Sequence, residues 1–307
     1  MSLLGKWIES LDYQMEILTD CTRYKSPRST CQKCLDVCEN EAVTFVNHVP
    51  VIARERCVEC GKCMSVCPVQ AVAGIFPKRT VVQNQLVLAT EDFPTVKELL
   101  VLYKKGVREI ISEDPTVLEG GKQVLEKANK MLDQLGEEAI SVSTAPFEKA
   151  EKIYSRRELF SLWNKEGQTF AKQAAPAKWR FNHTHLDVAK YYPAFQFTTI
   201  SVDTASCTLC KACERLCGKN CLTISETSFS ITAQACSSCQ LCSDICPEQA
   251  ISIEDQISRA HEVHYPIFKK TCSVCQQPYQ TVREHDDDKC VACTKREGFL
   301  STHESRI

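Results

Sequence analysis

The spacing of its cysteines constrains this chain more than any other feature. The 307 residues include 21 cysteines, confined to three blocks, Cys21–Cys67, Cys207–Cys246 and Cys272–Cys293. An odd number of cysteines cannot all pair as disulfides within one monomer. Because thiols stay reduced in the cytosol, the cysteines of a cytosolic chain of this kind are expected to bind metal rather than to form disulfides. The formal net charge of -2 argues against nucleic acid as the main partner.

No targeting or membrane-spanning segment is expected. The first twenty residues carry four acidic side chains and lack the long apolar run of a secretory signal. No later stretch approaches the ~18 apolar residues of a membrane span. We therefore predict a cytoplasmic protein with no transmembrane segment.

The second half of the first block has the spacing that binds iron–sulfur clusters. It reads Cys57-x2-Cys60-x2-Cys63-x3-Cys67-Pro68, the run that binds [4Fe-4S] clusters in two-cluster ferredoxins. Three thiolates from one loop surround a cube of iron and sulfide, and the fourth binds the other cluster. A zinc site needs only two pairs of soft ligands, so this run favours iron–sulfur over zinc.

The second block contains the same run twice, and both copies are complete. The cross-ligation rule assigns each fourth cysteine to the cluster of the other run. The two predicted ligand sets are Cys207, Cys210, Cys213 with Cys246, and Cys236, Cys239, Cys242 with Cys217. Cys221 is expected to be a spare buried thiol rather than a ligand, because Cys217 already occupies the fourth position.

The first run of the first block is irregular. It contains Cys31, Cys34 and Cys38, but Arg28 stands where the first cysteine is expected. Either the ligand is absent, which gives a [3Fe-4S] or labile cluster, or it is Cys21. We favour Cys21, since a longer loop can still bring a thiolate to the same corner. The predicted sets are Cys21, Cys31, Cys34 with Cys67, and Cys57, Cys60, Cys63 with Cys38.

The last four cysteines form two pairs. Fourteen residues separate the pair Cys272 and Cys275 from the pair Cys290 and Cys293. Two C-x2-C knuckles at this distance are a zinc-ribbon signature with four thiolates in a tetrahedron. The alternative is one rubredoxin-type iron in the same cage, although these knuckles lack the usual Cys-Pro-x-Cys-Gly sequence. Sixteen cluster ligands, four ribbon ligands and Cys221 then account for every cysteine.

Residues 85–150 contain no cysteine and alternate strand and helix patterns. Leu86–Ala89, Val107–Ile111 and Ala139–Val142 are expected as strands, with helices over Thr95–Lys105 and Val117–Leu135. This order predicts a small parallel α/β domain. Gly121 and Lys122 do not form a phosphate loop, because the earlier glycine and the following Ser or Thr are missing. We therefore expect a docking or scaffold domain rather than a nucleotide site.

Two stretches resemble known families. Cys21-x9-Cys31-Gln-Lys-Cys34-Leu-Asp-Val-Cys38-Glu-Asn-Glu-Ala-Val resembles the irregular run of the ferredoxin-type accessory protein of periplasmic nitrate reductase, and Ser155–Phe160 resembles that family's Ser-Arg-Arg segment. This resemblance covers under half of the chain. It implies a cytoplasmic four-cluster protein that serves a molybdoenzyme or another redox enzyme. Because the order of the parts differs from that family, the client enzyme is left open.

The insert resembles a second family. Leu102–Val107, with Lys105 and Gly106 before the next strand, resembles the small subunit of methyl-viologen-reducing hydrogenase. That family's cysteines are absent from the insert. The resemblance therefore implies the fold of this domain without its cluster.

Together these patterns predict an α+β protein in which two bacterial-type dicluster ferredoxin domains flank a small parallel α/β domain, with a C-terminal zinc ribbon. The predicted boundaries are an amphipathic helix at 1–20, ferredoxin domains at 21–84 and 201–260, the insert at 85–150, a linker at 151–200, and the ribbon and tail at 261–307. The expected function is electron transfer through four [4Fe-4S] clusters to or from a partner oxidoreductase, for which a molybdenum enzyme is one candidate. The alternative is a maturation protein that binds an apo-molybdoenzyme and uses its clusters structurally. No catalytic constellation is recognisable.

Overall fold

The computed structural model describes residues 15–74, 76, 79–88, 92–145, 186–285 and 288–296. Their contacts divide the chain into two compact units. The first contains the described residues up to Tyr24 and from Gln32 to Tyr191, and the second contains Lys25–Cys31 and the described residues from Tyr192 onward. In the part of the chain that is described, no helix is both long and apolar enough to cross a bilayer.

The first cysteine block is built from short elements around two antiparallel strand pairs. Strand β1 pairs with β4, and β2 forms a hairpin with β3. Met64 and Val72 are almost fully buried in the apolar cluster between them. The elements are β1 (Glu16–Ile17), α1 (Thr22–Lys25), α2 (Lys33–Asp36), β2 (Val43–Val46), β3 (Val49–Ile52), a 3-10 turn (Arg54–Arg56), α3 (Lys62–Val66) and β4 (Val72–Ala73).

The amphipathic helix predicted over 1–20 does not extend through this region. Glu16 and Ile17 form strand β1, opposite Ala73 and Val72. The apolar spacing of Met15 and Leu18 suggested a helix, but the backbone here is extended and paired, and Met15 is buried in the same apolar cluster. The prediction for residues 1–14 falls outside the described residues.

The cysteine-free insert has the predicted order of strands and helices. Its sheet has the order β5-β6-β7-β8, with β6, β7 and β8 parallel and β5 antiparallel at the edge. The elements are β5 (Thr80–Val82), β6 (Gln85–Leu88), α4 (Val96–Lys104), β7 (Glu109–Ser112), α5 (Pro115–Gln134) and β8 (Ser141–Thr144). Thr95 and Glu98 form a reciprocal capping box at the start of α4, which satisfies backbone groups that have no partner within the helix.

Gly121 has a packing role. It lies inside α5, where an added Cβ would lie 2.1 Å from a ring carbon of Phe93. Only glycine lets the ring approach the helix this closely.

The second unit repeats the strand pattern of the first cysteine block with longer strands. Strand β9 pairs antiparallel with β12, and β10, β11 and β13 form a three-stranded sheet. Phe229 and Ile231 of β11 are fully buried in its core. Helix α6 (Val188–Tyr191) belongs to the first unit. The elements of the second unit are β9 (Phe195–Val202), α7 (Ala212–Leu216), β10 (Leu222–Ile224), β11 (Ser228–Thr232), a 3-10 turn (Ala233–Ala235), α8 (Leu241–Asp244), β12 (Ile251–Arg259), β13 (Glu262–Pro266), β14 (Phe268–Thr271) and β15 (Pro278–Thr281).

Two predicted boundaries change in this unit. The linker predicted over 151–200 gives way to strand β9 from Phe195, since this strand pairs with β12; residues 151–185 fall outside the described residues. The ribbon predicted from 261 begins later, because Val263 of β13 lies opposite Ile231 in the three-stranded sheet. The separate hairpin of β14 and β15 follows.

Candidate metal centres

Three of the cysteine runs share an unusual loop conformation. In each loop, the residue before the second cysteine and the residue after it both have positive φ. The pairs are Glu59 with Gly61, Leu209 with Lys211, and Ser238 with Gln240. Positive φ is costly for most residues other than glycine and clusters at functional sites, where the structure holds the strain. In two of the three loops, all three cysteines line a single cavity.

In all four runs, a backbone N–H just after the last cysteine donates a hydrogen bond to the sulfur of that cysteine. The third residue after this cysteine has positive φ in each run, at Glu41, Gln70, Asn220 and Gln249. The fourth residue after it provides the N–H. These bonds run from Ala42 to Cys38 at 3.2 Å, Ala71 to Cys67 at 3.2 Å, Cys221 to Cys217 at 3.4 Å and Ala250 to Cys246 at 3.3 Å. Such N–H groups stabilise a thiolate.

One predicted ligand set surrounds a cavity in the first unit. The cavity encloses about 370 Å³, including space open to solvent, and Cys38, Cys57, Cys60 and Cys63 all line it. Burial is the main cause that raises the pKa of Cys63 to about 12, and the neighbouring sulfurs add to it. Without metal the Cys63 thiol therefore keeps its proton, and a bound metal must displace it.

A second predicted set surrounds a matching cavity in the second unit. This cavity encloses about 340 Å³ and is lined by Cys207, Cys210, Cys213 and Cys246. Cys210 is exposed, whereas the other predicted cluster cysteines, all of which are described, are half-buried or buried. A group held here would be open to the surface at Cys210.

The third predicted set also lies together. Burial raises the pKa of Cys242 and Cys239, and the sulfurs of Cys236 and Cys217 raise both further. Cys221 lies beside this set, within hydrogen-bonding reach of the Cys217 and Cys236 sulfurs. The sequence identified Cys221 as a spare thiol but gave no sign of the contact with Cys236, which is distant in the chain.

The fourth predicted set is only partly brought together. Cys67 is buried, and Cys21 and Cys34 pack against the same apolar cluster in the first unit. Cys31 belongs to Lys25–Cys31, which groups with the second unit. In that segment the backbone N–H of Thr30 donates to a carboxylate oxygen of Asp244 at 2.8 Å. The joint ligand role of these four cysteines stays a prediction.

Lys97 lies next to the last cysteine of the first block. Its ammonium group donates to the backbone carbonyl of Cys67 at 3.2 Å, and the hydroxyls of Ser65 and Thr95 form a hydrogen bond beside it. The first turn of α4 therefore contacts the chain around Cys67. Sequence reasoning missed Lys97, because a lysine on an amphipathic helix carries no signal of what its ammonium group meets.

The last four cysteines form the most compact group. The sulfurs of Cys272, Cys275, Cys290 and Cys293 all lie within 4.8 Å of one another, and those of Cys275 and Cys290 are 3.8 Å apart. A tetrahedron with metal–sulfur bonds of about 2.3 Å has edges of about 3.8 Å. The group therefore has the dimensions needed for a single metal ion.

Local hydrogen bonds prepare this site for metal. Cys272 directly follows the first strand of the β14–β15 hairpin, and Cys290 precedes a helix at residues 291–296. The backbone N–H of Cys290 donates to the Cys272 sulfur at 3.3 Å. This bond, with a second from Cys275, lowers the pKa of Cys272 to about 6. At neutral pH the thiolate that binds metal is therefore favoured at Cys272.

Comparison with known proteins identifies a class for the first cysteine block. The family model described as a 4Fe-4S dicluster domain matches residues 29–71. No curated protein matches the chain. The match supports a ferredoxin-type iron–sulfur protein with an electron-transfer role. Mixed helix and strand content agrees with the predicted α+β class, with one ferredoxin-like dicluster domain indicated.

Proposed function

We propose that the chain is an electron carrier with four [4Fe-4S] clusters in two dicluster domains. The observation that carries the proposal is the local geometry common to both cysteine-rich regions. In all four runs a backbone N–H donates to the last cysteine, four residues earlier. Two members of this repeated geometry, at Cys38 and Cys67, lie within the matched 4Fe-4S dicluster region, and the other two follow the same rule.

The proposed ligands are the four sets predicted from the sequence. Two of these sets line separate cavities, and their soft thiolate donors suit iron. The sets are Cys38, Cys57, Cys60 and Cys63; Cys21, Cys31, Cys34 and Cys67; Cys207, Cys210, Cys213 and Cys246; and Cys217, Cys236, Cys239 and Cys242. The clusters, when bound, exchange single electrons, and the chain holds them, shields them and sets their hydrogen bonds.

The ribbon is proposed to hold one zinc ion through Cys272, Cys275, Cys290 and Cys293. Its compact group of four sulfurs supports a single ion. Zinc cannot change valence, so the ribbon would stabilise structure or dock a partner. A rubredoxin-type iron, which fits the same cage, is the alternative that metal analysis distinguishes.

The partner is proposed to be a redox protein, with a molybdenum oxidoreductase as the first candidate to test. This candidate rests on the resemblance of the irregular first run to the accessory protein of periplasmic nitrate reductase. A cytoplasmic location is proposed because twenty ligand thiols must stay reduced to bind metal. Exposed Cys210 supports electron exchange with a partner at the surface.

Metal analysis is the first test. Protein purified anaerobically should contain about sixteen iron and about sixteen sulfide, four per cluster, with about one zinc. Cys221→Ala should keep this content, whereas Cys213→Ser should lose iron. A content of eight iron with several zinc ions would refute the four-cluster proposal.

Turnover distinguishes an electron carrier from a maturation protein. The dithionite-reduced carrier should reduce a purified holoenzyme partner, found by pull-down, in stopped-flow mixing. If the holoenzyme turns over equally well without the chain, and the chain matters only for loading the apo-enzyme, the maturation alternative is correct.

A further inference from the structure

Cys221 occupies a position at which the other three cysteine runs have alanine. In each of the four runs, the fourth residue after the last cysteine donates its backbone N–H to that cysteine's sulfur. Three of these residues are alanines, Ala42, Ala71 and Ala250, and all are buried. The fourth is Cys221, which is 2% exposed. The same backbone geometry therefore carries a thiol at one centre and a methyl group at the others.

This thiol contacts two proposed ligands of one cluster. Cys217 and Cys236 pack against the apolar cluster of the second unit that contains Cys221, and the Cys221 backbone nitrogen lies 3.4 Å from the Cys217 sulfur. Hydrogen bonds with the sulfurs of Cys217 and Cys236 raise the pKa of the Cys221 thiol. A carbonyl acceptor, on Lys219, lies 3.8 Å from the Cys221 sulfur, a long contact. A charged thiolate is a stronger acceptor than a carbonyl, so the thiol proton is directed to a ligand sulfur.

Hydrogen bonds to the ligand sulfurs, together with burial, set the potential of an iron–sulfur cluster. One-electron reduction adds one negative charge to the cluster and its sulfurs. A donor that faces these sulfurs interacts more favourably with the reduced form than with the oxidised form. The proton stays on Cys221 throughout, and no covalent bond changes.

We propose that Cys221 is a positioning residue whose thiol donates a hydrogen bond to Cys217 or Cys236 and raises the reduction potential of the cluster they hold. The proposal rests on the proposed electron-carrier function. It makes this cluster the preferred electron acceptor within the second region, and it gives a role to the cysteine left over from the ligand count.

The test compares Cys221→Ala, Cys221→Ser and wild type in the full chain. Cys221→Ala reproduces the side chain of the three equivalent positions, so the fold should be kept. In a redox titration followed by EPR, one cluster should become about tenfold harder to reduce, a shift of about 59 mV for one electron. Cys221→Ser keeps an O–H donor and should lose less than half of that effect. Ser252→Ala, at an exposed hydroxyl of β12 bonded to Ser201, is the control and should change nothing.

Iron content separates the possible failures. If wild type itself lacks about sixteen iron, the electron-carrier proposal fails before this inference is tested. If Cys221→Ala loses a whole cluster, Cys221 is a ligand, and the inference is wrong. A third outcome is that the variant keeps its iron while the equilibrium constant for reduction of every cluster changes by less than 1.5-fold. The thiol then has no effect on the cluster, and the inference is also wrong.

Discussion

The two cysteine-rich regions share their strand pattern and differ in what surrounds their last cysteines. In the first region the Lys97 ammonium of the α/β domain donates to the carbonyl of Cys67. In the second region no lysine contact to the carbonyl of Cys246 is found among the described residues, and Cys221 lies against Cys217 and Cys236 instead. Similar cysteine loops can therefore be placed in different electrostatic surroundings by residues outside the loops. The spacing of the cysteines therefore predicts how many clusters to expect, whereas neighbouring residues determine the surroundings of each proposed cluster.

The second region also extends into the ribbon. Strand β13 completes its three-stranded sheet and leads directly to the β14–β15 hairpin. Lys295, in the helix that follows Cys290, forms an ion pair with Glu248, which lines the cavity of Cys207 and Cys246. The first region is instead followed by the α/β domain. Each region thus has its own neighbouring module, and the variants below test the two regions against each other.

The largest effect is expected in the ribbon. Metal binding supplies on the order of 10 kcal/mol of folding free energy to modules of this size. Cys290→Ser should therefore unfold residues 267–296 locally, which hydrogen exchange would detect, while cluster absorbance in both regions stays. Loss of a rubredoxin-like iron spectrum on this substitution would identify the metal as iron instead of zinc.

The next effect concerns electron flow through both regions. Cys67→Ser and Cys246→Ser each remove the ligand that one run provides to the cluster of the other. If both regions lie on one electron path, each variant should slow electron delivery to the partner by well over tenfold, a barrier change above ~1.4 kcal/mol. Stopped-flow reduction measures this rate. Partner binding, followed by pull-down, should persist; equal rates for both variants, wild type and a blank would contradict the electron-carrier function.

The irregular first run can be tested against its regular counterpart. Cys21→Ser and Cys207→Ser remove the proposed first ligand of the first and second regions, respectively. Each should lower the iron content by one to four atoms per chain, depending on whether a [3Fe-4S] cluster survives. Full iron content in Cys21→Ser, with loss in Cys207→Ser, would remove Cys21 from the ligand set.

A smaller effect is expected at Lys97. Removing a positive charge beside Cys67 disfavours the more negative reduced cluster, although partial exposure of Lys97 screens the charge. Lys97→Met should make one cluster roughly threefold to tenfold harder to reduce, about 30–60 mV. Lys97→Arg should keep the wild-type potential. Lys122→Met, which removes an exposed lysine on α5, is the matched control; an equal shift in that variant would show a non-specific charge effect.

Much of the fold could be predicted because its signals are local. The alternation of apolar runs in residues 85–145 predicted the parallel order of β6, β7 and β8, and the helix predicted over Thr95–Lys105 corresponds to α4. The helix predicted through Glu16 and Ile17 failed because pairing with Val72 and Ala73 depends on a strand more than fifty residues away. Over so few residues, the spacing of apolar side chains cannot distinguish a short buried strand from a helix.

Cysteine spacing alone identified the candidate metal ligands, because the thiols of a short loop must recur at fixed intervals if the loop is to surround a metal centre. The spacing also identified the four ribbon cysteines as one group. Only the folded structure shows which groups lie next to each thiol. The contacts of Cys221 with Cys236, and of Lys97 with Cys67, join residues that are far apart in the chain. Hydrogen bonds and charge act through space rather than along the backbone, so only the folded chain brings these groups to the candidate centres.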